Sequence, residues 1–236
     1  MRSGYLHVLV LLSVTLVVLA FTIHSVAAQQ DYVLKLAPNA TVYRANAASG
    51  VTQFWVQWDA TLTNTGTAQP PITIMNVTYT LGDTTKYAAF VWDSSAATLA
   101  IDKNGQLTDI GYGDIGSGTW HSLNISISIS GNDLKVAWYV NGTLAYQSTS
   151  TVYDTSFSVA NVSARTTSLD SNANFLYINN VVDSEGNSET FDYQSDSYFT
   201  HSGDVTYVTK DSVPFFSSVA VGLLVVLGML LLFRRR

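Results

Sequence analysis

Trp55, Gln57 and Asp59 stand at alternate positions of one short stretch, and their side chains suit the binding of a polyhydroxylated ligand. A flat indole ring can stack on a sugar, while an amide or carboxylate beside it bonds the hydroxyl groups. If the stretch is a β-strand, the three side chains share one side, because successive side chains alternate. Tyr139, from another alternating stretch, would join them. These four residues are our candidate carbohydrate site, although Trp55 could instead be a core residue, since aromatic rings in sandwiches are mostly buried.

Side chains suited to catalysis are few. The only glutamates are Glu185 and Glu189, no E-x-D-x-x-E pattern occurs, and we expect both glutamates to lie far from the Trp55 side. His121 and His201 are the only histidines between the apolar ends of the chain, and His121 is better explained as a structural residue. The chain has no cysteine, and therefore no Cys/His metal cluster. We predict that the protein is not an enzyme and has no catalytic residues.

The alternation around Trp55 predicts the element that must position it. Between Val51 and Leu62, the more apolar set is Phe54, Val56 and Trp58. This set should face a core and leave Trp55 on the opposite side. The stretch is therefore predicted to be a strand with one dry and one wet face.

The segment from Trp120 to Gln147 predicts two consecutive β-hairpins. Leucine and isoleucine alternate with asparagine and serine in its first half, and the alternation resumes after a Ser-Gly-Asn-Asp turn. Asn141-Gly142 then forms a second tight turn, because both residue types tolerate a positive φ. Trp138 shares a strand face with two valines, which predicts that its ring is buried.

Three short motifs resemble laminin-G-like domains of the concanavalin A-like lectin/glucanase superfamily. They are the W-x-x-L…Y-x-N-G pattern of 120–142, the V-T-Q-F-W-V stretch of 51–56 and the F-L-Y-I-N-N-V stretch of 175–181, in which Asn179 replaces an aspartate common in relatives. The resemblance covers residues 31–183. It implies an all-β fold with two antiparallel sheets in a jelly-roll sandwich, and the body of the chain shows no helical period that would oppose it.

The resemblance also bears on catalysis and on metals. Glycosidases of this superfamily carry two carboxylates, usually glutamates, on one concave strand, whereas both glutamates of this chain lie beyond the match. Calcium is the usual metal of relatives, held by loop oxygens. The candidate oxygen donors lack the spacing of a calcium loop, so turn residues explain them better, and we predict no cofactor, with calcium as the alternative. These donors are Asp93, Asp102, Asn104, Asp109 and Asp114.

The two ends of the chain predict a surface protein. Residues 1–28 have the positive start, apolar run and small residues of a secretory signal peptide, with an uncleaved anchor as the alternative. Residues 213–233 are long and apolar enough to cross a bilayer core of about 30 Å, and the arginines of 234–236 place the C-terminus in the cytoplasm. We predict a single-pass cell-membrane protein whose extracellular body is a sandwich at 29–183 and a polar stalk or extra strands at 184–212.

The body is acidic and contains no cysteine. Between residues 29 and 211, seven lysines and arginines stand against all seventeen acids, a net charge of −10 that opposes nucleic acid as a partner. A secreted domain without cysteine indicates a prokaryotic source, and together with few charges and five N-glycosylation sequons it is typical of an archaeal protein. The sequon asparagines are Asn39, Asn76, Asn124, Asn141 and Asn161.

These features lead to one predicted function and two alternatives. The prediction is a non-catalytic, membrane-anchored surface sandwich that recognises glycans or neighbouring envelope proteins. The alternatives are a structural, glycosylated envelope component and a polysaccharide-active glycosidase. A cleft at Trp55 and Asp59 would favour glycan recognition, and a flat glycosylated surface would favour the structural envelope component. Two carboxylates about 5 to 9 Å apart in such a cleft would favour the glycosidase.

Overall fold

Alternation of apolar and polar residues produces strands through most of the chain that the structure describes. A computed structural model describes five segments, residues 31–63, 72–93, 95–167, 175–191 and 197–213. All five belong to the compact unit 31–236, and the other unit of the chain is 1–30.

The five segments contain fifteen strands and two short 3₁₀ helices. The strands are β1 (Tyr32–Leu36), β2 (Thr41–Val51), β3 (Gln53–Thr63), β4 (Ile72–Leu81), β5 (Thr84–Asp93), β6 (Thr98–Lys103), β7 (Gln106–Asp109), β8 (His121–Ser130), β9 (Asp133–Val140), β10 (Thr143–Thr151), β11 (Phe157–Arg165), β12 (Phe175–Asp183), β13 (Ser188–Glu189), β14 (Thr200–Ser202) and β15 (Val205–Thr209), and the helices are η1 (Gly113–Gly116) and η2 (Lys210–Ser212).

The predicted end segments lie outside the described residues. This holds for the signal peptide (1–28), the cytoplasmic tail (234–236) and all of the predicted transmembrane segment (213–233) except Val213. In the five described segments, no helix has the length and apolar character needed to cross a membrane.

The strands form two antiparallel sheets, which confirms the prediction of an all-β, two-sheet sandwich. The β3 sheet has the order β10-β9-β8-β3-β12-β1-β15, with β13 paired to β12, and the β4 sheet has the order β14-β2-β11-β4-β5-β6-β7. The chain passes repeatedly from one sheet to the other, so that β11 lies between β2 and β4. Neighbours in a sheet are therefore often distant in sequence.

The core lies between the inner faces of the two sheets. Phe54, Val56 and Trp58 of β3 are completely buried there, as the alternation predicted. Trp138 of β9 is also completely buried, and its indole N–H donates a hydrogen bond of 3.1 Å to the carbonyl oxygen of Ala89 in β5. This bond joins the two sheets through the core, and the predicted burial of Trp138 is confirmed.

The Asn141-Gly142 turn joins β9 to β10 as predicted. Asn141 has a φ of 51° and Gly142 a φ of 76°, the left-handed conformations that a type I′ hairpin turn requires. The tight turn fixes the register in which β10 pairs with β9. It thereby helps to position the side chains that point outward from β9.

Residues 184–212 contribute strands to both sheets rather than a separate stalk. β14 pairs with β2, β15 pairs with β1, and Phe191 is completely buried in the core. The buried Asp183 carboxylate accepts a hydrogen bond of 3.0 Å from the Tyr198 hydroxyl and lies 3.9 Å from the Arg44 guanidinium. These contacts tie the segment into the sandwich.

Candidate functional site

A shallow depression of about 310 Å³ lies on the outer face of the β3 sheet. Trp55 of β3 pairs with Ser126 of β8. Two positions along, Asn124 of β8 lies between Gln57 of β3 and Tyr139 of β9. These five side chains line the depression. Three of the four predicted site residues, Trp55, Gln57 and Tyr139, therefore meet at one place on the surface.

The described residues that line this depression are polar but uncharged. Two aromatic rings, those of Trp55 and Tyr139, stand beside the amides of Gln57 and Asn124. Each amide carries both donors and an acceptor, so the pair can bond hydroxyl groups, which also donate and accept. The arrangement suits a neutral, hydroxyl-rich ligand that offers an apolar ring face.

Asp59 shares the outer face with Trp55 but is not among the described residues that line the depression. Its Oδ2 accepts a hydrogen bond of 2.6 Å from Asn180 Nδ2. Asn180 has a φ of 51° and lies where the register between β12 and β3 shifts. The Asp59 carboxylate therefore stabilises this bulge, and the structure does not bring it to the place where the other three predicted residues meet.

Glu185 lies closer to this face than we expected. Its neighbour Ser184 accepts a hydrogen bond of 3.2 Å from the Trp55 N–H and donates one of 3.0 Å to the Trp55 carbonyl oxygen. The expectation of a distant Glu185 is wrong because β12 pairs directly with β3, so the turn after β12 ends beside Trp55. The Glu189 carboxylate instead accepts hydrogen bonds from two backbone N–H groups of the following segment, each at 3.0 Å.

A larger groove of about 450 Å³ crosses the outer face of the β4 sheet. The strand register places one row of its lining side by side on five neighbouring strands, in the order Tyr43, Ser163, Asn76, Ala89 and Asp102. With strands about 4.8 Å apart, this row is about 19 Å long. The sequence did not indicate this groove as a site, because its residues come from separate segments and only two of them, Asn76 and Asn161, were marked, as sequon asparagines.

Hydrogen bonds fix part of the groove floor. Asn76 Nδ2 donates to Thr78 Oγ1 at 3.0 Å and to Ser163 Oγ at 3.3 Å. The Tyr87 hydroxyl donates to Asp102 at 3.3 Å. Burial raises the pKa of Tyr87, and the Asp102 charge and hydrogen bond act in the same direction. Tyr87 therefore remains a hydrogen-bond donor at neutral pH.

The sequon asparagines have different surroundings. Asn39 is exposed in the turn between β1 and β2, whereas the Asn141 amide already accepts a hydrogen bond of 2.9 Å from a backbone N–H of β8. Asn124 lines the β3-sheet depression, and Asn76 and Asn161 line the β4-sheet groove. A glycan attached to Asn124 would cover the depression, and a glycan attached to Asn76 or Asn161 would cover the groove. Glycosylation at one of these asparagines and ligand binding at the same surface therefore exclude each other.

His121 has the contacts of a structural residue. It is 4% exposed, and its Nε2 lies 2.9 Å from Asp114 Oδ1 while its Nδ1 lies 3.0 Å from Asn141 Nδ2. These bonds connect η1 to the turn between β9 and β10. The ring of Tyr112 packs edge-on against the imidazole with centroids 5.6 Å apart.

The carboxylates considered for calcium hold tight turns. Asp93 accepts hydrogen bonds from the hydroxyl and backbone N–H of Ser95, and the hydroxyl bond lowers the pKa of Asp93. Asp102 and Asp109 each accept a bond from a glycine N–H, at 2.8 and 2.7 Å. Over the described part of the chain, no group of three or more His, Cys, Asp or Glu residues could hold a metal ion.

Comparison with known proteins yields only partial structural overlaps. No protein-family model matches the chain, and no curated protein matches it. Among solved structures, the chain is similar to alginate lyase vAL-1 from a Chlorella virus, with 10% identity over 61% of this chain and 83% of that one and a TM-score of 0.41. The carbohydrate recognition domain of Emp46p has 9% identity over 69% and 94%, with a TM-score of 0.40. The carbohydrate-binding module CBM66 from Bacillus subtilis has 12% identity over 64% and 84%, with a TM-score of 0.33. Overlaps this partial carry no functional argument, so function must follow from the chain's own side chains.

Proposed function

We propose that this chain recognises neutral saccharides, without catalysis, at the depression on the outer face of the β3 sheet. The observation that carries the proposal is the meeting of two aromatic rings, Trp55 and Tyr139, with the amides of Gln57 and Asn124 in one depression. Ligand sites of this kind use apolar rings for contact area and a few polar groups for orientation.

Charge supports a neutral ligand. The five residues that line the depression are uncharged, while the surrounding body carries seven basic residues against seventeen acids. An acidic surface repels anionic ligands, and the described lining of the depression offers no cation that would attract them. A neutral sugar is not repelled by the acidic surface and does not need a cation in its binding site.

The described carboxylates support recognition rather than hydrolysis. Glycoside hydrolysis needs two carboxyl groups placed on either side of the scissile bond. Asp59, the acid of β3 on this face, is bonded to Asn180 at 2.6 Å. Glu185, in the turn beside Trp55, is not among the described residues that line the depression. In the β4-sheet groove, Asp102 is the one carboxylate among the described lining residues.

Replacement of Trp55 by alanine tests the proposal. In the full-length chain held in detergent micelles, neutral hexasaccharides such as cellohexaose or mannohexaose should bind the Trp55→Ala variant at least tenfold more weakly, a loss of about 1.4 kcal/mol. The melting temperature should change little, because Trp55 lies outside the core cluster. Tyr153→Ala is the matched control, since Tyr153 is 93% exposed and does not line the depression. Early melting of Trp55→Ala, or unchanged affinity, would contradict the proposal.

We also propose that the body stands on the outer surface of the cell, held by the apolar segment 213–233. The sequence pattern at both ends supports this location. Protease added to intact cells should digest the body, and deletion of residues 213–236 should release the protein into the medium. Protection of the body from that protease would overturn the topology.

A further inference from the structure

The groove on the outer face of the β4 sheet has the chemistry of a second binding site. Its described lining consists mainly of hydroxyl, amide and small apolar side chains, and the row from Tyr43 to Asp102 runs across five strands. The β3-sheet depression lies on the other outer face of the sandwich. Since packed sheets are about 10 Å apart, with side chains beyond each of them, no single sugar ring can touch both surfaces.

The charges of this groove favour the same class of ligand as the β3-sheet depression. Among its described lining residues, Arg165 and Asp102 are the two charged ones, and their charges cancel. The body around the groove is strongly acidic, so an anionic polymer would be repelled on approach. A neutral chain of sugars is not repelled.

The floor combines fixed polar groups with an apolar strip. Asn76 and Tyr87 are held by the hydrogen bonds described above. Ala89 and Val91 lie buried beside them on β5 and pack with Ala100 of β6. Such a strip can contact the apolar face of a sugar ring while the polar groups bond its hydroxyls.

One polar atom of the floor lacks a partner. Asn161 Oδ1 has no hydrogen-bond partner among the described residues, although it is buried beneath the groove surface. Buried polar atoms are nearly always hydrogen-bonded. A small rotation of the Asn161 side chain would let a bound hydroxyl supply the missing bond.

We infer that the β4-sheet groove binds a neutral oligosaccharide independently of the β3-sheet depression, so that one chain holds two saccharide segments on opposite faces. Two sites on opposite faces let one molecule bridge two polysaccharide strands. Linked binding of this kind raises avidity on a multivalent surface without any new contact. Binding at the groove does not depend on the Trp55 face, whereas cross-bridging also rests on the proposed function, because it needs a saccharide on each face.

The number of oligosaccharides bound per chain tests the inference. Cellohexaose, maltohexaose and mannohexaose are titrated calorimetrically into the full-length chain in detergent micelles, with an oligogalacturonate of equal length as the acidic comparison. At least one neutral probe should bind with two sites per chain. Tyr43→Ala and, separately, Thr73→Trp should reduce this number to one, because the first removes a ring from the groove lining and the second places a bulky ring in that lining. Neither substitution alters a sequon.

Controls separate this inference from the proposed function. Leu107→Ala, at a residue 48% exposed on β7 and outside the groove lining, should keep both sites. Trp55→Ala should also leave one site, the groove, and Trp55→Ala combined with Tyr43→Ala should leave none. The melting temperature of each variant shows whether it folds. If Tyr43→Ala does not fold, Thr73→Trp tests the groove in its place.

The contradicting outcomes are distinct. Unchanged stoichiometry in folded Tyr43→Ala and Thr73→Trp overturns binding at the groove and leaves the proposed function standing. Unchanged stoichiometry in Trp55→Ala overturns the proposed function, and cross-bridging with it, but leaves binding at the groove standing. Tighter binding of the oligogalacturonate than of every neutral probe, or no binding of any neutral probe, overturns the inference.

Discussion

The two tryptophans of β3 are three residues apart, yet Trp58 is completely buried while Trp55 is half-buried on the outer face. Trp58 packs in the core, edge-on against Phe199 with ring centroids 5.7 Å apart. Trp55 instead stands beside Gln57 and lines a depression. The difference shows that alternation along one strand buries one tryptophan in the core and leaves the other on the outer face, where we propose that it contacts the ligand.

The largest effect should come from the inner face. Trp138→Ala should lower the free energy of unfolding by roughly 3 to 5 kcal/mol, because it removes a buried aromatic ring. It also deprives the Ala89 carbonyl oxygen of its 3.1 Å hydrogen bond. Denaturant unfolding monitored by circular dichroism measures the loss. Tyr153→Ala, at an exposed position, should unfold like the wild type, and an equally stable Trp138→Ala would mean that the inner and outer faces are interchanged.

A smaller effect should come from Asp183, a buried carboxylate that binds the C-terminal segment to the core. Asp183→Asn should cost roughly 1.5 to 3 kcal/mol, the usual value of hydrogen bonds to a charged group. The carboxylate accepts bonds from the Tyr198 hydroxyl and from Asn187, and it lies 3.9 Å from Arg44. Asp133→Asn, at an exposed position, is the control. If both variants unfold at the same denaturant concentration, Asp183 does not stabilise this segment.

The smallest effect, and one of opposite sign, should come from Tyr79. Its hydroxyl is buried without a hydrogen-bond partner among the described residues. Removing it in Tyr79→Phe should raise the free energy of unfolding by about 1 kcal/mol.

Tyr79 should also make stability depend on alkaline pH. Burial raises the pKa of Tyr79 from 10.0 to about 12. Between these values the unfolded chain loses the proton first, so the free energy of unfolding should fall as the pH rises from 10 to about 12. Below pH 10 the contribution is fully present. Tyr79→Phe should flatten this fall while Tyr153→Phe should not, and equal slopes in both variants would show that Tyr79 is not the group responsible.

Local pattern was enough to predict the strands and their buried faces. The alternation around Trp58 and Trp138 left one apolar set on each strand, and only burial satisfies such a set. The Asn141-Gly142 turn was equally clear, since few residue pairs adopt positive φ at both positions. The same alternation predicted outward positions for Gln57 and Tyr139, whereas their meeting depends on the pairing of β8 with β3.

The remaining features depend on pairings between distant segments, which local pattern does not record. The β4-sheet groove exists because β11, with Ser163, inserts between β2 and β4. Glu185 lies beside the Trp55 face because β12 pairs with β3. The strands within 184–212 are short and polar, so their alternation was too weak to distinguish them from a stalk.

Hydroxyl-radical footprinting of the tryptophans, read by mass spectrometry, tests the central claim most directly. In the free protein Trp55 should be oxidised, while Trp58 and Trp138, both completely buried, should not react. A saturating neutral hexasaccharide should protect Trp55 and leave the other two unchanged. A Trp55 as unreactive as Trp58 in the free protein, or a Trp55 whose oxidation the saccharide does not reduce, would contradict the assignment of the outer face to recognition.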